Sequence, residues 1–287
     1  MAAALMVWPA AALAAGKTIA VKCVGQGSAV AHASTDEMIG WLSKSAAAYE
    51  SKDAFTISGH GGMGRMFDAS GRLIHPRELA ESVRASSAFT GKKAKLVDLA
   101  VSGTGGPPGR SYADRLAALL RTKVNGCEGI AYYLSNGLYL CGKEPPAAQP
   151  AATRLLPLGF MPTRLPMFMI FCQPGTSPDP RTLMSSQAAF GLFPDEMAQL
   201  EAAGQANADA AFRLYLYHWL ARRDRSSAMS WLKKAAELGS DVARFDLAYE
   251  YFESGDSKHA SELMATLVAK GFAGPDLRNY YGGSERG

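Results

Sequence analysis

With 287 residues, 48% of them hydrophobic and 20% charged, the chain is long enough to bury a sizeable core and its length favours two domains. The formal net charge of +4 is mild, and the short basic clusters Lys92-Lys93-Ala94-Lys95 and Arg222-Arg223-Asp224-Arg225 are mixed with acids or lie beside apolar runs. They have the pattern of solvated faces, which argues against a nucleic-acid-binding protein.

In chain order, residues 2–13 form an apolar run too short to span a bilayer. Ala12-Leu13-Ala14 then supplies the small-x-small pattern of a signal-peptidase site. Residues 1–16 therefore read as a signal peptide, although no Lys or Arg precedes the apolar stretch, and the protein is expected to be periplasmic or secreted with no integral membrane segment. Four cysteines, Cys23, Cys127, Cys141 and Cys172, suit that oxidising compartment. They allow two disulfides in three connectivities, or buried free thiols. Their spacings match no zinc site, and His60, His75 and Asp68 are a poor metal set, so neither metal nor cofactor is expected.

A strand is predicted at 18–24 (TIAVKCV), followed by a helix over 35–51 that starts at a Ser34/Thr35 cap and carries Met38, Ile39, Trp41 and Leu42. Two stretches then answer each other: 55–64 (FTISGHGGMG) and 96–106 (LVDLAVSGTGG). Each is an apolar run of strand length that breaks into glycine, with a residue capable of chemistry at the break, His60 in the first and Ser102 in the second. Neighbouring parallel strands deliver their C-terminal loops to one sheet edge. His60 and Ser102 are therefore expected on adjacent strands, facing a common groove edged by residues 103–109. That loop is no phosphate cradle, because it lacks the Lys-Ser/Thr pair and its prolines remove backbone donors. Helices are predicted at 76–85 and 111–120, and Asn136-Gly137 between apolar runs 129–134 and 138–141 signals a hairpin. The order β-α-β-α-β-α-β-β implies an α/β fold, a mainly parallel sheet with an antiparallel edge.

This layout resembles the caspase-like cysteine-peptidase fold, in particular the self-cleaving protease domains of large bacterial toxins. The matching residues are Gly59-His60-Gly61, the reversal Phe67-Asp68-Ala69-Ser70-Gly71, and Leu99-Ala100-Val101-Ser102-Gly103. The resemblance spans residues 18–141 and implies a three-layer sheet domain with catalytic positions His60 and Ser102. The family's cysteine, however, falls on Ser102. A thiol becomes a nucleophile when a neighbouring imidazolium lowers its pKa, whereas a serine hydroxyl needs a base hydrogen-bonded to it. A caspase-like arrangement holding serine is therefore expected to be inert, unless a serine variant or a nearby nucleophile acts in its place.

Residues 144–153 (EPPAAQPAAT) read as a linker, 168–171 as a strand or short core segment, and 174–180 as irregular. From Pro194 the pattern turns helical and repeats: Ala210, Phe212 and Leu214 recur as Ala243, Phe245 and Leu247 after 33 residues. A period in the thirties with glycine ending the second helix marks stacked helical hairpins. The string 228–239 (AMSWLKKAAELG) resembles the Sel-like branch of tetratricopeptide repeats, over residues 208–274, with 194–204 as a degenerate helix of a preceding repeat. Two repeats are too few to stand alone and should dock on the α/β domain. The domain plan is thus a signal peptide to residue 16, an α/β domain over 17–143, a connecting segment over 144–193 and helical repeats over 194–287. Tyr215, Tyr217, His218, Trp219, Tyr249, Tyr251 and Phe252 cluster on the first helices of the hairpins. Most should be core, and any left exposed would be candidate partner anchors; Tyr215, Trp219, Tyr249, Tyr251 and Phe252 are the binding candidates.

Two functions follow. One is a non-catalytic envelope protein that binds another protein, which the Sel-like resemblance suggests is a secreted toxin, making this chain its immunity or inhibitor protein. The other is a caspase-like hydrolase acting through His60 and a nucleophile at or near Ser102.

Overall fold

The computed structural model describes residues 54–68, 70–92, 95–106, 109–134, 139–142, 183–192 and 194–282, together with the short strand segments 23–25, 154–156, 170–172 and 176–178. The signal-peptide reading, the helix expected over 35–51 and the linker at 144–153 lie outside the described residues.

Three short parallel strands form the sheet that carries the two glycine breaks. β2 (Ala54–Ser58), β5 (Leu96–Ala100) and β6 (Lys123–Gly126) lie in the order β2-β5-β6, with Ser58 opposite Ala100 and Leu99 opposite Gly126. β6 reads KVNG, without an apolar run to announce it, and was not expected. Between β2 and β5 the chain makes a tight hairpin of β3 (His60–Gly62) and β4 (Arg65–Phe67). Its two-residue turn takes positive φ at both Met63 (48°) and Gly64 (77°), as a turn matching the strand twist demands.

Two helices follow, α1 (Pro76–Ala85) and α2 (Ser87–Lys92), and α3 (Tyr112–Leu120) lies between β5 and β6. Proline occupies the first turn of α1, where no N–H is needed, and the His75 imidazole caps it by accepting from Arg77 N at 3.1 Å. α3 opens on a capping box: Ser111 Oγ accepts from Asp114 N, while the Asp114 carboxylate accepts from Ser111 N. The apolar faces of α1 and α3 close over β5, burying Leu79, Ala80, Val83, Val97, Leu99, Tyr112 and Leu116 in one core.

The expected hairpin forms between β7 (Ile130–Leu134) and β8 (Tyr139–Gly142), with Tyr133 opposite Tyr139. It does not extend the parallel sheet as an antiparallel edge. β7 instead sits between β8 and β12 (Leu183–Ser185) in a separate antiparallel ladder. A disulfide joins Cys127 to Cys141 across the base of the hairpin. Outside these units β1 (Cys23–Gly25) pairs with β11 (Thr176–Pro178), and β9 (Arg154–Leu156) with β10 (Ile170–Cys172). Part of the stretch expected to be irregular is thus strand.

The C-terminal third is helical. α4 (Ser186–Phe190) follows β12, and α5 (Pro194–Ala203) precedes α6 (Ala208–Leu216), which runs into a π-helical segment, Tyr217–Arg222. α7 (Arg225–Glu237), α8 (Asp241–Ser254), α9 (Ser257–Ala269) and the short α10 (Arg278–Tyr281) complete it. Asn207, Asp224, Ser240 and Asp256 cap the N-termini of α6 to α9. Gly239, Gly255 and Gly271 end α7 to α9 with φ of 108°, 86° and 73°, which only glycine adopts without strain. α6 packs on α7, α7 on α8 and α8 on α9. Ala228, Ala235, Ala243, Ala248 and Ala260 are all buried at these crossings, where a small side chain lets helix axes approach.

The helices do not form a separate body. Their core takes in Phe67 and Leu73 from the β4 side and Phe190 from α4, and Trp219 Nε1 donates to Gly62 O at 3.0 Å. Around this apolar contact runs a buried ionic network. Arg65 of β4 reaches Glu250 at 2.6 Å, and Arg115 of α3 forms a bidentate pair with Glu253 at 2.8 and 3.0 Å. Asp246 accepts from Leu73 N at 2.8 Å. Acids of α8 thus satisfy groups on the α/β side, the Arg65–Glu250 pair and Asp246 buried and the Arg115–Glu253 pair half-buried, and the pairing is how the charges among them are tolerated.

Candidate functional site

His60 and Ser102 each fall two residues beyond the paired strand ends Ser58 and Ala100, so β2 and β5 carry them to the same edge in the same register. The two loops touch through their backbones. Gly64 N donates to Gly103 O at 3.0 Å. A Cβ at Gly61 would lie 2.4 Å from Val101 Cγ1 and 2.7 Å from Ser102 O, and one at Gly103 would lie 2.8 Å from Met63 N. The second glycine of Gly-His-Gly, Gly61, is therefore required by close approach, whatever the histidine does. Tyr133 locks the same place from the antiparallel ladder: its one hydroxyl proton is shared between Gly59 O, at 3.2 Å, and Ala100 O.

The first residues of the loop after β5 are stitched by hydrogen bonds. Gly103 N donates to Gly129 O, Gly105 N to Cys127 O, and Thr104 Oγ1 to Val101 O at 2.7 Å. Ser102 takes part in this stitching. It is 7% exposed, and its Oγ accepts from Ala131 N at 2.9 Å.

His60 is 3% exposed. Its ring stands edge-on to Phe190, centroids 4.9 Å apart, and its Nδ1 lies 3.4 Å from Ser186 Oγ at the start of α4. Nε2 is buried without a hydrogen-bond partner. Burial lowers its pKa to about 4, because a charged imidazolium would lose its hydration there. At neutral pH the ring is uncharged and a weak base.

The sequence thus identified two strand-end residues that the sheet brings to one edge, but their side chains turn to different partners. No hydrogen bond joins His60 to Ser102 among the described residues. Ser186 is the neighbour that sequence reasoning missed. It lies 126 residues from His60 along the chain, and Leu183–Ser185 before it carries no spacing that announces a site.

A groove edged by the glycine loop is present. An open cleft of about 260 Å³ lies between Gly103, Gly105 and Gly106, the Met63-Gly64 turn, and the side chains of Arg110, Glu128 and Arg223. Neither His60 nor Ser102 lines it. The glycine loop is therefore a wall of a cleft that both residues stay behind.

The aromatic candidates on the helices are core. Tyr215 and Tyr249 are fully buried, Trp219 and Phe252 nearly so, and Tyr251 is half-buried against them. A surface role for Tyr215, Trp219, Tyr249 and Phe252 is corrected by this packing: their helix face covers the β3–β4 hairpin and the neighbouring helices. Among the described residues, Val268 is the large hydrophobic side chain left exposed.

Compared with known proteins, residues 30–141 match a family model described as a domain of unknown function, DUF8616. The matched segment contains β2 to β7, and with them His60, Ser102 and the glycine loop. No curated protein and no solved structure matches the chain. Among the described residues no helix is long and apolar enough to cross a membrane.

Proposed function

We propose that this chain is a non-catalytic protein-binding protein, exported to the bacterial cell envelope, whose caspase-like sheet serves as a rigid support and whose Sel-like helical hairpins are built onto it. The carrying observation is the engagement of Ser102 Oγ by Ala131 N at 2.9 Å, in a residue only 7% exposed. A nucleophilic serine needs its proton taken by a base in contact, and the hydroxyl here instead satisfies a backbone donor. The neutral, buried His60 supports the same reading, since general-base efficiency falls as the pKa drops below the working pH. The Sel-like resemblance adds a secreted toxin as the partner, which makes the chain an immunity or inhibitor protein.

One observation favours a second reading, a hydrolase working through His60: Ser186 Oγ lies 3.4 Å from the imidazole, so the site holds a serine and a histidine in near contact. The two readings part on a simple assay of the purified full chain with activated ester and peptide substrates. No turnover, with envelope function retained in Ser102→Ala and Ser186→Ala, is the expected result. Turnover abolished by His60→Ala and Ser186→Ala would establish the hydrolase and overturn the binding role.

A further inference from the structure

The N-terminal edge of the parallel sheet, opposite the glycine loops, gathers cations. Leu96 of β5 lies opposite Lys123 of β6, so Lys95, immediately before β5, and Lys123 mark the two neighbouring strand starts. α3 runs back from the glycine loop to this edge and ends at Leu120. Arg121 follows as its C-cap, in a left-handed conformation with φ 52°. Arg84, in the last turn of α1, reaches the same place, because its guanidinium donates to Leu119 O.

All four cations are exposed, and none forms an ion pair among the described residues. The described acids of the same elements are engaged elsewhere. Asp98 is buried in β5, Asp114 caps the opposite end of α3, Glu78 of α1 pairs with Arg72, and Glu81 accepts from Tyr280. Arg84 and Arg121 complement the carbonyl ends of their helices. Lys95 and Lys123 sit instead at strand starts, where the small dipole of a sheet calls for no cation.

The edge offers charge but no anchor. Phe89, the aromatic residue of α2, turns inward against Phe55 with ring centroids 5.5 Å apart. Val268, the large hydrophobic side chain left exposed among the described residues, lies on α9. Protein partners draw their affinity from buried aromatic and arginine anchors, and single-stranded nucleic acids from bases stacked on aromatic rings. Unpaired charges alone match a layer of interchangeable anionic headgroups, to which each Lys or Arg adds a similar increment.

Going beyond the protein-binding role and independent of it, we propose that this edge docks peripherally on an anionic phospholipid bilayer. Lys95, Arg121 and Lys123 meet the headgroup phosphates, and Arg84 adds its charge beside them. The glycine loops, at the other ends of the same strands, then face away from the bilayer.

The test is flotation of the full chain with phosphatidylcholine vesicles containing phosphatidylglycerol, against vesicles of phosphatidylcholine alone. At about 0.1 M salt, where the screening length is about 10 Å, the protein should float with the anionic vesicles only, and about 1 M salt, which shortens that length to about 3 Å, should release it. Lys95→Gln, Lys123→Gln and Arg121→Asn, the last chosen because asparagine tolerates the left-handed backbone, should each weaken the affinity about fivefold, the equivalent of about 1 kcal/mol per cation. Lys258→Gln, which removes an exposed cation of α9, should leave it unchanged. Unchanged melting temperatures show that the variants fold. Equal flotation with neutral vesicles, binding that survives the higher salt, or binding indifferent to the triple variant overturns the proposal. An equal loss in Lys258→Gln does so too, because it marks a response to net charge alone. Displacement of the vesicles by polyglutamate or duplex DNA at equal charge concentration also overturns it and assigns the edge to an acidic protein or a nucleic acid.

Discussion

Ser102 illustrates how a strand-end residue capable of chemistry can be structural. Its oxygen satisfies the buried Ala131 N–H, so Ser102→Ala should lower stability by about 1–3 kcal/mol, the cost of leaving a buried donor unpaired. Chemical denaturation checks this. A variant as stable as the parent, or more so, would show that the serine is held there at the expense of the fold, as nucleophiles often are. The same logic explains the glycines. Gly61 is demanded by Val101 and the Ser102 carbonyl, so its presence beside His60 says more about strand approach than about chemistry.

At the scale of elements, α8 is the strut. It brings Asp246, Glu250 and Glu253 to three places on the α/β side, and Glu250 is only 2% exposed while bonded to both Arg65 and Arg225. The Glu250 carboxylate, with Tyr249 and Glu253 nearby, outweighs burial and holds the Arg65 guanidinium firmly charged. Glu250→Gln should therefore cost about 3 kcal/mol, because removing one partner strands a buried cation. A loss below about 1 kcal/mol in a urea titration would mean that Glu253, 3.6 Å from Arg65, is a sufficient substitute. α8 was legible as a helix from its 33-residue echo of α6, but no sequence pattern singled out its acids. Only the packing of α8 on the β4 side reveals them as an internal network.

For the whole molecule, the shared core makes the two parts interdependent. A fragment spanning residues 18–144 would expose Phe67, Leu73 and the Gly62 carbonyl that the helices cover. It is expected to lack a cooperative thermal transition; a sharp melt would show that the sheet unit folds by itself. Acidification probes the same interface. His60 and His75 are both held near 4, His60 by burial and His75 by burial together with Arg115. A depressed histidine contributes stability above its unfolded value, about 6.5, and loses it as pH falls toward its folded one. Asp246 has the opposite sign: burial raises its pKa well above the carboxylate range, so its neutral form is favoured and acid helps it. Between pH 6.5 and 4.5 the two histidines lower stability toward acid, and protonation of Asp246 in the folded state offsets part of that loss. Asp246→Asn removes the opposing proton. It should raise stability at pH 7 and steepen the acid slope. Denaturant midpoints measured across that window test both signs; a slope unchanged by Asp246→Asn would mean that the carboxyl is ionised in the folded protein.

Local chemistry was enough to place much of this chain. Apolar runs ending in glycine gave β2 and β5, the stretch 111–120 was legible as the helix α3, Asn136-Gly137 pointed to the β7–β8 pairing, and the change of pattern after Pro194 marked the C-terminal helices. Each of these depends on residues close together in sequence or on a strict period. What turned on distant partners was invisible: β6, whose strand state comes from pairing with β5; β12, recruited by β7; Ser186 beside His60; the burial of Tyr215, Trp219, Tyr249 and Phe252; and the direction in which Ser102 Oγ points. A hydroxyl, an imidazole or an aromatic ring has the same intrinsic chemistry in any context. Whether it meets solvent, a backbone donor or another ring is decided by burial and by segments distant in sequence, 29 residues away for Ser102 and 126 for His60, so tertiary structure alone assigned those roles.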